Sequence, residues 1–100
     1  MLKKMLPPTH PGEVLREDVL PALGQSKAAI ARALGVSRQT LYDILDERQP
    51  VTVPMAIKLG KLLGNGPELW IGMQNAYDLA TIAPRMAKEL EDIPTLAAAA

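Results

Sequence analysis

The feature that most constrains this chain is a pair of short amphipathic segments separated by only three residues. Ile30, Ala31 and Leu34 recur at helical spacing in the first, and Leu41, Ile44 and Leu45 in the second. Ser26 and Ser37 stand where side-chain N-caps belong, so the helices are predicted over 27–34 and 38–45. Between them lies Gly35-Val36-Ser37. Two helices on so short a connector must cross closely. The crossing residue of the first must be small, which Ala31 is, and the stop must tolerate positive φ, which Gly35 does. Val36, Leu41 and Ile44 are then expected to fill the wedge. These demands are met in register, and they describe a helix-turn-helix spanning residues 27–46.

The rest of the chain is read as further helices. One is expected over about 12–19, with Val14, Leu15 and Val19 inward, ended by Pro21 and Gly24. Thr52 caps another over about 53–63, with Pro54 in its first turn and Met55, Ile57, Leu59, Leu62 and Leu63 as its apolar surface. Pro67 opens a long fifth helix after Gly64-Asn65-Gly66. It either continues to about Leu90 with a kink at Pro84 or ends near Ile82. Residues 1–10, containing Pro7-Pro8, read as an extended arm, residues 11–92 as the domain, and residues 93–100 as a frayed tail. The fold class is all-α, a compact five-helix domain with a long C-terminal helix.

Composition narrows the function. Apolar residues make up 48% of the chain, yet there is no Phe, one Trp and two Tyr, a palette that suits helix packing. No apolar run approaches the ~20 residues that span a bilayer. The first six residues lack the apolar stretch of a signal peptide, so a cytoplasmic location is expected. There is no Cys, and His10 is the only histidine. No cluster has metal-ligand spacing, no loop has phosphate-binding form, and no activating partner is evident for a nucleophile. No catalytic residue, cofactor or metal is therefore assigned, and an enzyme is not expected.

The outer face of the third helix carries different chemistry. Arg38, Gln39, Tyr42 and Asp43 lie at or near its N-terminal end, the end that enters the major groove in this motif. Arg38 can grip guanine O6 and N7, Gln39 can pair with adenine N6 and N7, and Asp43 can accept from cytosine N4. Lys27, at the start of the second helix, suits a phosphate, and Arg48 in the following loop suits a second. Zero net charge runs against nucleic-acid binding. Segregation partly answers it: residues 24–50 hold four bases against three acids, and 86–92 are acidic. On the fifth helix Leu69, Trp70, Met73 and Tyr77 form an apolar stripe, expected to serve partly as core and partly as a twofold dimer interface.

The stretch from Ser26 to Leu41 resembles the Cro/CI-type (XRE) helix-turn-helix. His10-Pro11-Gly12-Glu13, Leu20-Pro21-Ala22-Leu23-Gly24 and Pro67-Glu68-Leu69-Trp70 with Gln74 and Tyr77-Asp78-Leu79 resemble the HigA group of antitoxins. That likeness covers about residues 9–80. It implies a lambda-repressor-like domain that dimerises, represses its own operon through double-stranded operator DNA, and pairs with a RelE-like ribonuclease toxin of the HigB type. By position it implies base-facing roles for Ser37, Arg38, Gln39 and Asp43, and backbone-facing roles for Lys27, Thr40 and Arg48. Relatives often have Asn-Gly where this chain has Asp46-Glu47, and Gln where it has Lys27. Two alternatives stand beside this: a stand-alone repressor without a toxin, and an interaction module that has lost DNA binding, suggested by Asp43, Asp46 and Glu47.

Overall fold

A computed structural model of the protein describes residues 8–97. Residues 1–7 of the expected arm and 98–100 of the expected tail lie outside the described residues. The described chain is helical throughout, with no strand.

Helix α1 covers residues 11–23 in three contiguous parts: α-helical Pro11–Val14, a π turn Leu15–Val19, and α-helical Leu20–Leu23. Its start is fixed by His10, whose Nδ1 accepts from Gly12 N–H at 2.8 Å, with Pro11 in the first turn. The helix does not end at Pro21, as the sequence suggested. The wider π turn immediately precedes that proline, where an ordinary turn would set the ring against a carbonyl four residues back. Leu20 N–H bonds instead to Leu15 O, and both leucines are buried although five residues apart. Val14 and Val19 are only half-buried. The helix stops at Gly24, which is left-handed at φ 67°.

Helices α2 (Lys27–Leu34) and α3 (Arg38–Leu45) have the expected limits and caps. Gly35 sits at φ 73°, and Val36 N–H reaches back to Ala31 O at 3.0 Å, the six-to-one bond of a Schellman stop. Ala31 is buried at the crossing. Helix α4 (Val53–Leu63) starts at its Thr52 cap and stops at left-handed Gly64. It turns Met55, Ala56, Leu59 and Gly60 inward. Ile57 and Leu62, expected as part of its apolar surface, are exposed, because α4 meets the core along one side only.

Helix α5 (Pro67–Ile82) lies along α4. Pro84 does not merely kink it. The α-helix ends at Ile82, a 3-10 turn runs Ala83–Met86, and short α6 (Ala87–Glu91) follows. Five principal helices thus form the body. Their shared core is Leu15, Leu20, Ile30, Ala31, Leu34, Leu41, Ile44, Leu45, Val51, Met55, Ala56, Leu59 and Trp70. Burial of each large member contributes roughly 1.5–3 kcal/mol. One polar group ties the loop after α3 into that core: Gln74 Oε1 accepts from Val51 N–H at 2.7 Å, and its Nε2 donates to Asp78 at 2.9 Å.

Candidate nucleic-acid interface

A reading helix must be held firmly and still present its N-terminal end. In this chain α3 is held from behind by α1. Gly12 packs so tightly on it that an added Cβ would overlap Ile44 O, so only glycine permits this approach. Leu41, Ile44 and Leu45 are buried on the same side. Arg16 Nη1 donates to Leu45 O and to Glu47 at 3.3 Å, closing the helix end from α1.

The opposite face of α3 is open. Arg38 and Gln39 are exposed at its first turn, and Tyr42 is exposed one turn on. Ser37 caps the helix through Thr40 N–H at 3.0 Å and donates its own hydroxyl to Thr40 Oγ1 at 2.9 Å. Both hydroxyls therefore order the helix start. Lys27 Nζ stands 5.8 Å from the Tyr42 ring centre, which draws the start of α2 against the exposed face of α3. Arg38 has no carboxylate partner among the described residues. Lys27, Ser37, Arg38, Gln39, Thr40 and Tyr42 thus share one surface at the helix-turn-helix.

Asp43 and Arg48 are placed differently. Asp43 Oδ1 accepts from Arg48 Nη2 and from Gln39 Nε2, each at 2.8 Å. Arg48 also pairs with Asp46 at 3.3 Å. These contacts hold the Asp43 carboxyl below its ordinary pKa, Arg48 contributing most and Gln39 next, and they push the Arg48 guanidinium up. The carboxylates at 46 and 47 are also engaged: Asp46 with Arg48, and Glu47 with Arg16. Glu47 is the residue that stops α3, and it does so at φ 63°, the one left-handed non-glycine among the described residues.

Sequence reasoning gave no role at this surface to three residues. Arg16 is one, because its partners lie about thirty residues away. Gln74 is another, a buried polar residue that supports the loop carrying Arg48. The third is Arg32, which lines an open groove of about 440 Å³ beside Arg38, with Ala28, Ala31 and Val36. A basic residue on α2 one position past the crossing alanine was the available signal.

The expected dimer stripe divides. Trp70 is 1% exposed and donates from Nε1 to Asn65 Oδ1, so it belongs to the core and cannot line a surface. Met73 packs against the core, and Tyr77 meets His10 edge-on at 4.9 Å. Only Leu69 of the four is openly exposed, at 49%. The exposed apolar surface of α5 lies farther along, at Leu79 (70%) and Ile82 (45%). These two line a groove of about 430 Å³ with Asn75, Asp78, Ala83 and Met86.

A family model for the CENP-B N-terminal DNA-binding domain matches residues 23–50, which enclose α2, α3 and the Arg48 loop. Antitoxin HigA-1 of Vibrio cholerae is 35% identical over 96 residues, covering 96% of this chain and 90% of the relative. The solved structure of Pseudomonas aeruginosa antitoxin HigA with the higBA promoter is 38% identical, with a TM-score of 0.81, covering 90% of this chain and 99% of that one. Antitoxin GraA in complex with its operator is 41% identical, with a TM-score of 0.83, covering 93% and 95%.

Proposed function

The chain belongs to the HigA family of antitoxins, and from that premise we propose that it binds operator DNA, represses its own operon and neutralises a RelE-like ribonuclease toxin. The observation that carries the DNA reading is the first turn of α3. Arg38 stands there exposed and, among the described residues, without an acidic partner, beside Gln39, on a helix whose other face is locked into the core. Arg38 then reads guanine, Gln39 reads adenine, Ser37 faces the bases beside them, and Lys27, Thr40 and Arg48 face the phosphate backbone. The reading as a module that has lost DNA binding drew on zero net charge and on Asp43, Asp46 and Glu47. Internal ion pairs account for those three carboxylates.

Operator recognition in this motif uses two copies, with half-sites about 34–36 Å apart. The dimer surface that fits this structure is the Leu79–Ile82 groove. No described helix is long and apolar enough to cross a membrane. From the family, whose named relatives are DNA-binding antitoxins, we infer a role in recognition rather than catalysis, carried out in the cytoplasm.

The test is a mobility shift with the DNA upstream of the chain's own reading frame, together with co-purification of the product of the adjacent small reading frame. A specific shift and a co-purifying ribonuclease are expected. Absence of the shift sinks the operator reading. A shift with no partner leaves a stand-alone repressor.

A further inference from the structure

Asp43 lies one helical turn beyond Gln39 on the outer face of α3, yet its side chain is only 19% exposed. It gathers four hydrogen bonds. Oδ1 accepts from Gln39 Nε2 and from Arg48 Nη2, each at 2.8 Å. Its backbone carbonyl accepts from the N–H of Arg48 at 2.8 Å and of Gln49 at 3.1 Å. Both the reading helix and the loop that follows it are therefore tied to this one residue.

The consequence for Gln39 is chemical. A glutamine amide carries a donor end and an acceptor end, and a free one can present them in either order. A carboxylate only accepts, so it turns the NH2 group of Gln39 toward itself. One N–H is then spent on Asp43. The other N–H and Oε1 remain, in a single order, which is the pair that adenine N7 and N6 require. The same oxygen holds the Arg48 side chain, which is otherwise 61% exposed, against the end of α3. A base-reading carboxylate, by contrast, needs an open edge.

Resting on the operator-binding reading above, we propose that Asp43 is a specificity-determining positioning residue. It selects the orientation in which Gln39 meets its base and keeps Arg48 at the phosphate-facing edge, and it reads no base itself.

The test uses the full chain as wild type, D43A, D43N, Q39A and the Q39A/D43A double variant. The DNA is the footprinted segment upstream of its reading frame, with each base pair substituted in turn. D43A is expected to lower discrimination by about tenfold at the same base pair that Q39A relaxes. The double variant is expected to be no worse there than Q39A. D43N, whose amide oxygen the donor-only Arg48 guanidinium still holds on the side that faces Gln39, should keep the preference within about twofold. In spectra of the free proteins the Gln39 side-chain amide signals should move toward solvent-exposed positions in D43A and stay near wild type in D43N.

Relaxation by D43A at a base pair that Q39A leaves intact would overturn the proposal. So would D43N behaving like D43A, or Gln39 amide signals that ignore D43A. The last readout needs no DNA, so it holds whatever D43A does to overall affinity. If wild type binds no upstream DNA, the operator reading fails first and takes this inference with it. If wild type binds and the D43 pattern is wrong, only this inference fails.

Discussion

Arg38 and Arg48 carry the same charge and meet opposite surroundings. Arg38 faces outward with no carboxylate beside it among the described residues, whereas Arg48 is bound to Asp43 and Asp46. A phosphate must compete for Arg48, and a base edge need not compete for Arg38. Arg38→Ala is therefore expected to cost about 1–3 kcal/mol of specific operator affinity and to relax one base position, measured by mobility shift on substituted operators. Unchanged affinity and preference would remove Arg38 from the groove. His10 offers a second test at this scale. Burial lowers its pKa below the ordinary 6.5, partly opposed by Glu47, Asp78 and the Gln49 backbone. The unfolded chain thus binds this proton more readily than the folded one. The stabilising share of neutral His10 is fully present above the unfolded pKa and is lost as pH falls through the folded one. Protonation also removes the Nδ1 acceptor that caps α1. Melting temperature is expected to fall between roughly pH 7 and pH 5, and less so in His10→Asn. Equal slopes for the two proteins would exclude His10 as the cause. The outward direction of Arg38 and Gln39 was legible from helical spacing. The ties of Asp43 were not, because Arg48 reaches it only through the fold of the following loop.

Among the elements, α2, α3 and α4 began and ended where their sequences indicated, and α1 did not. The first three are bounded by side-chain caps at Ser26, Ser37 and Thr52, and two of them stop at Gly35 and Gly64. Those contacts form within three or four residues, so pattern reading finds them. In α1 the π turn before Pro21 prolongs the helix to Leu23, and only packing of both Leu15 and Leu20 in the core rewards that distortion. The stop of α3 is a strained one, since Glu47 occupies a left-handed conformation better suited to glycine. Glu47→Ala and Glu47→Gly both delete the contact with Arg16 and differ in backbone freedom. The glycine variant is expected to be the more stable by about 1 kcal/mol in denaturant melts. No difference would mean that the stop carries no strain. At the α1–α3 crossing, Gly12→Ala would force its Cβ into Ile44 O, and a loss of about 3 kcal/mol is expected by the same measurement.

At the scale of the whole molecule, neutrality no longer opposes DNA binding once the charges are paired off. Glu17 and Glu47 are spent on Arg16, and Asp43 and Asp46 on Arg48, which leaves the first turn of α3 cationic. The second feature at this scale is the apolar groove at the end of α5. Leu79→Glu with Ile82→Glu should give a folded monomer by sedimentation, with operator affinity lower by about a hundredfold as the two half-sites lose their linkage. A double variant that remains dimeric would place the interface elsewhere. The amino-acid order alone determined the helix-turn-helix, the caps and stops of its neighbours, and which side chains of α3 turn outward. Each of these depends on contacts a few residues apart and on the angular period of a helix. Only the tertiary structure decided that Trp70 is core while Leu79 and Ile82 stay exposed, that Pro21 lies inside a helix, and that the acids near α3 clasp arginines. Those outcomes depend on which surfaces the packed helices bring together across tens of residues, and spacing along one helix carries no record of that choice.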